Sequence, residues 1–566
     1  MSYPFERPLG ATARPGGGVE FRVWAPRPSS VSVLGQPLEP AGYGIWEGEI
    51  DASPGDDYHF VLDGRRHPDP MSRSQPKGLR GPSRVIDPAA FEWTDSGWDG
   101  VPLDELVLYE LHVGTFTQDG TFEAVIPHLR GLRELGVTAI ELMPVSEFPG
   151  ARGWGYDGVY LRAPHHVYGG PNGLRRLVND AHAAGVGVVL DLVLNHLGAS
   201  GVRTMKAFGP YFTDKYETGW GAAINYDDVE CEGVREWALQ SAASLVREYH
   251  LDGLRLDAVH AIVDNGPRHL LAELADRVHA VDPNALVIAE SNRNDPRTIR
   301  PVAEGGLGQD AQWADDFHHS VRALLTGERE GYYRDFGRVE HLARAFERPF
   351  VYDGRWSEAR RRRVGAPAGD RPPEQFVVCS QNHDQVGNRA FGDRLPRRAR
   401  PLAAFCTLLS PFTPLLFMGE EWGENAPFQF FTDHIDKRIA RATREGRRKE
   451  FAEFAAFAGE EVPDPQAVET FERSKLTRRV DRRLADLYRE LFALRPQLPR
   501  IEPDIAHDEA GHWLRVRRGP FELAMNFAGR RREVPVEGSE VLLATHEATL
   551  GDGRVALPAR AGAVVR

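Results

Sequence analysis

Cysteine is scarce in this chain, with only 3 in 566 residues, at Cys231, Cys379 and Cys406. Thiols so far apart in sequence provide neither a disulfide framework nor the close ligand spacing of a metal site. We therefore expect no stabilisation by disulfide bonds. Each cysteine is interpreted as a small buried apolar residue.

Long apolar runs are missing as well. No uninterrupted stretch of about 18 apolar residues occurs, so no membrane-spanning helix is expected. The first eight residues, MSYPFERP, lack the basic-then-apolar pattern of a secretory signal. The sequence therefore predicts a cytoplasmic protein that has no membrane partner.

Positive charge is in deficit, because 69 Lys and Arg residues face 82 Asp and Glu residues, for a net charge of −13. This balance argues against a nucleic-acid partner. Hydrophobic residues make up 41% and charged residues 27%, which is typical of globular proteins. The length exceeds that of one ordinary core. Changes in pattern along the chain predict three domains, at residues 1–90, 91–495 and 496–566.

The first domain is predicted to be a small β-sandwich. Short alternating runs such as residues 19–26 are separated by Gly, Pro and Asp. Its aromatic residues Trp24, Trp46 and Tyr58 either fill the core or stack on sugar rings, and the sequence leaves both open. Residues 69–99 are rich in Pro, Gly, Ser and Arg, which indicates a linker and loop region.

Strand-like and helical segments alternate from residue 103 to about residue 425. Eight strands that are each followed by a helix or a long loop fit a (β/α)8 barrel with insertions. The fold class is therefore α/β, with the barrel flanked by the N-terminal β-sandwich and a C-terminal all-β domain. The eight predicted strands are residues 106–113, 137–144, 186–195, 251–259, 286–290, 312–317, 376–380 and 414–419.

The barrel is followed by helices and then by β-structure. Residues 433–475 are charged and favour a solvated helical extension. Residues 481–494 show the apolar periodicity of one more amphipathic helix. Short alternating runs return from residue 496 to the end and predict a compact β-domain.

Charged residues at the ends of apolar strands point to the functional site. Arg255 and Asp257 are two apart, so they share one face of a predicted strand. An isolated pair of this kind is more often a structural ion pair. Glu290 and Asp384, however, also end apolar strand-like runs. In a barrel these three acids meet at the C-terminal mouth, where active sites lie.

Three carboxylates at one barrel mouth could bind a divalent metal or cleave a glycosidic bond. His196 and His383 keep the metal reading open. Arg255 competes with a cation but stabilises an ionised carboxylate. The sequence therefore favours a glycosidase site over a metal site. A retaining glycosidase needs one ionised nucleophile and one protonated acid. Asp257 beside Arg255 suits the first role, and Glu290 suits the second.

Five motifs resemble those of the α-amylase family of glycosidases. In chain order they are WGYDGV at 154–159, DLVLNH at 191–196, GLRLD at 253–257, IAE at 288–290 and NHD at 382–384. The resemblance implies that Asp257 is the nucleophile, Glu290 the acid/base and Asp384 the transition-state stabiliser. The residues expected to bind substrate are Trp154, Tyr156, Asp191, His196, Arg255, His383, Gln385 and Glu421.

Further motifs are similar to a narrower group within that family. Residues 109–117 and 120–122 resemble both glycogen branching enzymes and maltooligosyltrehalose trehalohydrolases. The segments EWG at 421–423, PFQFFTDH at 427–434 and REGRRKEF at 444–451 resemble the trehalohydrolases. This resemblance implies that the substrate is maltooligosyltrehalose and that an enzyme forming this sugar acts upstream.

Two other functions stay open at the level of sequence. A branching transferase would use the same acids, but a glucan hydroxyl would replace water as the acceptor. A non-catalytic glycan-binding protein on this fold usually loses the nucleophile or the acid, whereas Asp257 and Glu290 are both present. No cofactor is expected. No metal is predicted either, because no set of oxygen ligands accompanies Asn195, which often serves a calcium site in this family.

Overall fold

The computed structural model describes residues 4–452 and 461–566, and its centre is a closed barrel of eight parallel strands. The strands, numbered β1 to β8, pair in chain order, and β8 closes onto β1. This arrangement confirms the predicted (β/α)8 fold. The strands are β1 Leu108–Leu111, β2 Ala139–Leu142, β3 Gly187–Leu192, β4 Gly253–Leu256, β5 Leu286–Ala289, β6 Ala311–Trp313, β7 Phe376–Cys379 and β8 Thr413–Phe417.

Helices cover the outside of the barrel. The helix Phe122–Leu135 begins after Thr121, whose side chain accepts a hydrogen bond from the amide of Ala124, and ends at Gly136 in a positive-φ conformation. The helices in this region are Val113–Phe116, Phe122–Leu135, Gly170–Ala183, Val202–Phe208, Glu232–Tyr249, Leu270–His279, Asp315–Thr326, Val339–Glu347, His383–Gly387 and Arg400–Leu408.

The barrel strands are shorter than predicted, and three predicted strand ends fall in helices. Val259, the predicted end of the fourth strand, begins a 3-10 helix, and that strand ends at Leu256. Val113 begins a short helix, although the prediction placed it at the end of the first strand. The sixth strand ends at Trp313, and Asp315 already opens the next helix. An acidic residue in the first turn favours a helix because it complements the helix dipole. The apolar Phe317 then lies on the buried face of that helix.

Two four-stranded antiparallel sheets form the N-terminal sandwich. Tyr58 is buried in its core against Phe21, and the Trp46 indole donates a hydrogen bond to the Ala25 carbonyl. Trp24 is also buried, but its ring packs against Tyr211 where the sandwich meets the barrel. The sheets comprise Gly10–Ala13, Val19–Trp24, Ile45–Ile50 and Glu39–Gly42, and Gln36–Pro37, Val31–Val33, Phe60–Leu62 and Arg65–His67.

Residues 69–99 are mostly irregular in backbone, as predicted, apart from the strand Ser83–Arg84, which pairs with Asp57–Tyr58, and the 3-10 helix Pro88–Ala90, but they do not form a loose linker. Asp69 is fully buried and accepts a hydrogen bond from Tyr58 at 2.6 Å. Arg73 is also buried and forms a two-pronged ion pair with Glu248 on the helix Glu232–Tyr249. The segment is therefore part of the interface between the sandwich and the barrel.

The C-terminal part of the chain contains two β-sheets, preceded by helices. The helices are Lys437–Glu450, Val468–Arg473 and Arg482–Leu494. The sheets comprise Asp504–Asp508, Trp513–Arg518, Phe521–Asn526, Ala561–Val565 and Val541–Ala544, and Arg532–Pro535, Arg554–Leu557 and Thr549–Gly551. Residues 453–460, which belong to the predicted helical extension, lie outside the described residues. The domain boundaries at residues 90 and 495 stay predictions.

None of the helices in the described ranges has the length and apolarity that a membrane crossing requires.

Candidate active site

The register of the barrel brings the predicted acids to adjacent strand ends. Asp191 on β3 lies beside Arg255 on β4. Leu256, the last residue of β4, lies beside Ala289, the last residue of β5. Asp257 follows β4 and Glu290 follows β5, so the two acids lie at the same level. The backbone continues this pairing, because the Glu290 amide donates to the Leu256 carbonyl at 3.0 Å.

Arg255 is the electrostatic centre of the site. Its side chain is fully buried, and its Nη1 donates to Asp191 at 2.6 Å and to Asp257 at 3.0 Å. Its Nη2 lies 3.3 Å from Oε2 of Glu290, and the guanidinium sits 4.3 Å above the centre of the Trp313 ring. One cation thus contacts three carboxyl groups and favours the ionised form of each.

Glu290 has the environment of a protonated acid. Burial raises its pKa to about 8, against the opposing effect of Arg255 and with further increases from the nearby carboxylates. The Ala258 amide donates to Oε2 at 2.6 Å, while Oε1 makes no hydrogen bond with the described residues. Ala258 has a φ of 40°, a left-handed conformation that turns this amide toward Glu290. The carboxyl group is therefore fixed through one oxygen, and the other is available to carry a proton.

Asp257 and Asp384 differ from Glu290 in their surroundings. Asp257 accepts from Arg255 at Oδ1 and from the Asn195 amide at Oδ2, the latter at 3.0 Å, and these donors stabilise its negative charge. Asp384 follows β7 on the short helix His383–Gly387, and its side chain is 38% exposed, the most accessible of the three acids. It is therefore the most open of the three to a molecule that enters the barrel mouth.

A chain of hydrogen bonds connects the buried residues beneath the three acids. The His383 ring contacts Glu110 on β1 through Nδ1 and the Tyr156 hydroxyl through Nε2, at 2.7 Å. Tyr156 in turn donates to Asp191 at 2.6 Å. Burial alone would lower the pKa of His383, but Glu110 and Asp384 outweigh it and raise the pKa to about 10. A cationic His383 donates at both nitrogens, which fits both of its contacts.

The predicted substrate-binding residues divide into accessible and buried groups. His196 and Tyr156 are partly exposed, and the His196 ring stacks on Trp220 with centroids 5.0 Å apart. The others are at most 7% exposed, so they support the site more than they line it. These are Trp154, Asp191, Arg255, His383, Gln385 and Glu421.

Trp154 and Glu421 are placed differently from what the sequence suggests. Trp154 is 5% exposed and stacks on Phe428, so one face of its ring is covered by protein, and its contact with a sugar stays a prediction. Glu421 accepts a hydrogen bond from Tyr109 at 2.9 Å and makes no contact with the three acids. Burial raises the pKa of Glu421 to about 8, which fits a neutral side chain on the 3-10 turn that follows β8.

Sequence reasoning missed several residues of the site. Glu110 and Glu141 lie side by side on β1 and β2, inside the barrel. Each is an acid within an apolar strand, the same signal that singled out Asp257. Trp313 supports Arg255, and Trp220 is 53% exposed on the hairpin formed by residues 212–224. Trp220 gives no local sequence signal, because its contact with His196 depends on how the hairpin folds back.

Both polar atoms of the Asn195 side chain contact residues of the site. Its amide nitrogen donates to Asp257, and its oxygen contacts Nδ1 of His196 at 2.7 Å. Glu147, His165 and His166 form a separate group whose ligand atoms lie within 4.8 Å of one another. Nδ1 of His165 accepts the Val167 amide, so the neutral ring carries its proton on Nε2, the atom that a metal would need.

Family models match two parts of the chain. A model described as the catalytic domain of alpha amylase matches residues 85–208, and one described as a domain of unknown function (DUF3459) matches residues 504–564. These ranges cover the first barrel strands and the C-terminal sheets.

Three known proteins are similar to this chain over most of its length. A crystal structure of a Salmonella typhimurium protein assigned as an alpha amylase is 38% identical, with a TM-score of 0.91 and 99% of both chains covered. A 1,4-alpha-glucan branching enzyme from Corynebacterium jeikeium is 29% identical over 72% of this chain and 61% of its own length. A malto-oligosyltrehalose trehalohydrolase from Saccharolobus solfataricus is 44% identical over 93% of this chain and 94% of its own. On that identity and coverage, the chain belongs to the malto-oligosyltrehalose trehalohydrolase family.

Proposed function

We propose that this protein is a retaining glycoside hydrolase acting on maltooligosyltrehalose. It cleaves the α-1,4-glucosidic bond next to the terminal trehalose unit and releases trehalose and a maltooligosaccharide. One observation carries the chemistry: Arg255 contacts both Asp257 and Glu290, while burial keeps a proton on Glu290. The preference for the trehalose end is supported by the activity named for the relatives.

In the first step an oxygen of Asp257 attacks the anomeric carbon of the sugar. The bond from that carbon to the glycosidic oxygen breaks as Glu290 gives its proton to the departing oxygen. Trehalose leaves, and the maltooligosaccharide stays bound to Asp257 as an ester. Glu290 is now ionised, and Arg255 at 3.3 Å stabilises the new charge.

In the second step a water molecule replaces trehalose. Ionised Glu290 takes a proton from this water, whose oxygen attacks the anomeric carbon and breaks the ester bond to Asp257. The free sugar leaves, Asp257 is ionised again, and Glu290 has recovered its proton. Two inversions at one carbon retain its configuration.

We assign the remaining contacts to substrate orientation. Asp384 accepts hydrogen bonds from sugar hydroxyls, and these bonds strengthen as the ring flattens in the transition state. His196 and Tyr156, the accessible members of the predicted binding set, border the sugar that is attacked. Arg255 and His383 hold the acids and Tyr156 in place.

A product assay tests the specificity. The protein is incubated separately with maltooligosyltrehalose and with a maltooligosaccharide of equal length, and the released sugars are separated. We expect trehalose from the first and little cleavage of the second. Equal cleavage of both would retain the glycosidase and reject the trehalose preference, whereas new α-1,6 branches would identify a transferase.

Substitution of the acids tests their roles. Asp257→Asn and Glu290→Gln should each lower turnover by roughly 10⁴-fold while glucan binding persists, because both groups act mainly in the transition state. Glu490→Gln, at an exposed helical position, is the matched control and should leave turnover unchanged. Turnover close to that of the unmodified protein in both active-site variants would refute the assignment.

The predicted upstream enzyme follows from the substrate, since some enzyme must form the trehalose linkage before this one can act. That enzyme and the cytoplasmic location stay predictions.

A further inference from the structure

A cavity of about 650 Å³ lies at the opposite end of the barrel from the active site. Residues just before β1 and β2, including Leu106 and Thr138, form one wall. The other wall carries three arginines, Arg495, Arg500 and Arg518. The cavity therefore lies between the base of the barrel and the C-terminal sheets.

The three arginines make hydrogen bonds to backbone carbonyl groups. Arg518 is 2% exposed and donates to the carbonyls of Leu409, Leu498 and Pro499. Arg495 donates to the carbonyls of Leu408, Ser410 and Phe412, and Arg500 to that of Asp104. These bonds orient the guanidinium groups but leave their full charges in place.

Acidic side chains do not neutralise this cluster. Within residues 4–452 and 461–566, no ion pair within 4.0 Å involves Arg495, Arg500 or Arg518. Asp104 and Glu105 border the cavity, but both are exposed to solvent. Burial together with the charges of Arg500 and Arg518 lowers the pKa of Arg495 to about 9. Burial and Arg500 lower that of Arg518 to about 10. Three like charges therefore repel one another across one cavity.

We propose that this cavity binds an oxyanion of the phosphate class. A tetrahedral dianion accepts charge-assisted hydrogen bonds from planar guanidinium groups and removes their mutual repulsion. The volume lies in the range of small-molecule sites, so the phosphate belongs either to the free ion or to a small phosphorylated molecule. The site is separate from the hydrolytic centre and extends beyond the proposed function.

Inorganic phosphate is the first probe. The melting temperature of the full-length protein is measured in phosphate and in sodium chloride of equal ionic strength, and binding is measured by titration calorimetry. We expect phosphate to raise the melting temperature above the chloride value, with one site per chain. An equal effect of the two salts would overturn the proposal.

The variant Arg500→Gln separates binding from folding. Arg500 is exposed, so its loss should leave the fold intact. Without phosphate the variant should be at least as stable as the unmodified protein, because a repulsive charge is gone. Its phosphate affinity should fall by about tenfold, the effect of losing one charge-assisted hydrogen bond.

The matched control is Arg517→Gln. Arg517 is the neighbour of Arg518 in sequence but pairs with Glu537, away from the cavity. The Arg517→Gln variant should bind phosphate as tightly as the unmodified protein does. Equal loss of affinity in both variants would overturn the proposal, since it would show a general charge effect. A sugar phosphate that binds more tightly than inorganic phosphate would support the site and identify the organic source of the anion.

Discussion

At the scale of the residue, the site depends on which groups are charged. Glu110 accepts both the backbone amide and the ring Nδ1–H of His383. It thereby keeps the ring cationic and turned toward Tyr156, which in turn holds Asp191 against Arg255. Glu110 is 1% exposed and acts on the site through His383, so it is a positioning residue.

Glu110→Gln tests that role. The variant removes the charge that raises the pKa of His383, so the ring should lose its second proton near neutral pH. Turnover should fall by about 10- to 100-fold, the effect of losing one charged hydrogen bond. NMR titration of the His383 ring distinguishes this effect from misfolding, because its pKa should move down from about 10. Glu123→Gln, on an exposed helical turn, is the control, and an unchanged His383 titration would contradict the role.

The raised pKa of Glu290 predicts a pH dependence. Glu290 must be protonated to donate, so kcat/KM should decline as the pH rises through about 8. The same shift affects stability. In the folded protein the pKa of Glu290 lies above the ordinary value of 4.5. The contribution of Glu290 to the free energy of unfolding is therefore complete below pH 4.5 and is lost as the pH rises toward 8. A kcat/KM that stays constant through this range would contradict the assignment of Glu290 as the acid.

At the scale of the element, the sequence predicts the barrel well because its signal is local. An apolar run followed by a carboxylate locates the ends of β4, β5 and the strand before Asp384. The sequence does not predict contacts that depend on distant segments. Trp220 meets His196 only because the hairpin folds back, and Glu110 supports His383 only because β8 closes the barrel between β7 and β1.

The short helix His383–Gly387 gives the sharpest test at this scale. A Cβ atom on Gly387 would lie 2.1 Å from the Trp154 ring, so Gly387→Ala must displace the ring or the helix. Because Asp384 belongs to this helix, we expect kcat to fall by about 100-fold, as for other small misplacements, with an unchanged circular dichroism spectrum. Gly446→Ala is the control, since nothing lies within 4 Å of its Cβ position. Full activity in Gly387→Ala would show that the helix tolerates the shift.

At the scale of the whole molecule, the N-terminal sandwich is a packed part of the catalytic unit. Trp24 projects from its sheet against Tyr211, with ring centroids 5.4 Å apart, and covers Gly209 and Gly233. Arg73, in the segment that follows the sandwich sheets, adds a buried ion pair with Glu248 at 2.8 Å. Both contacts involve the helix Glu232–Tyr249, which leads directly into β4. The sandwich therefore packs against the helix that precedes β4, the strand that positions Arg255 and Asp257.

Gly233→Ala tests whether this docking stabilises the molecule. In an isolated helix the change would be favourable by roughly 0.5–1 kcal/mol. Here the new Cβ would lie 2.1 Å from the Trp24 ring, so the sandwich must shift or Trp24 must leave its site. Overpacking of this kind costs about 1–3 kcal/mol, so the melting temperature should fall. Gly131→Ala, on a helix where nothing lies within 4 Å of the new atom, should raise it instead. If both variants raise the melting temperature, the sandwich is held too loosely for Trp24 to transmit strain to the barrel.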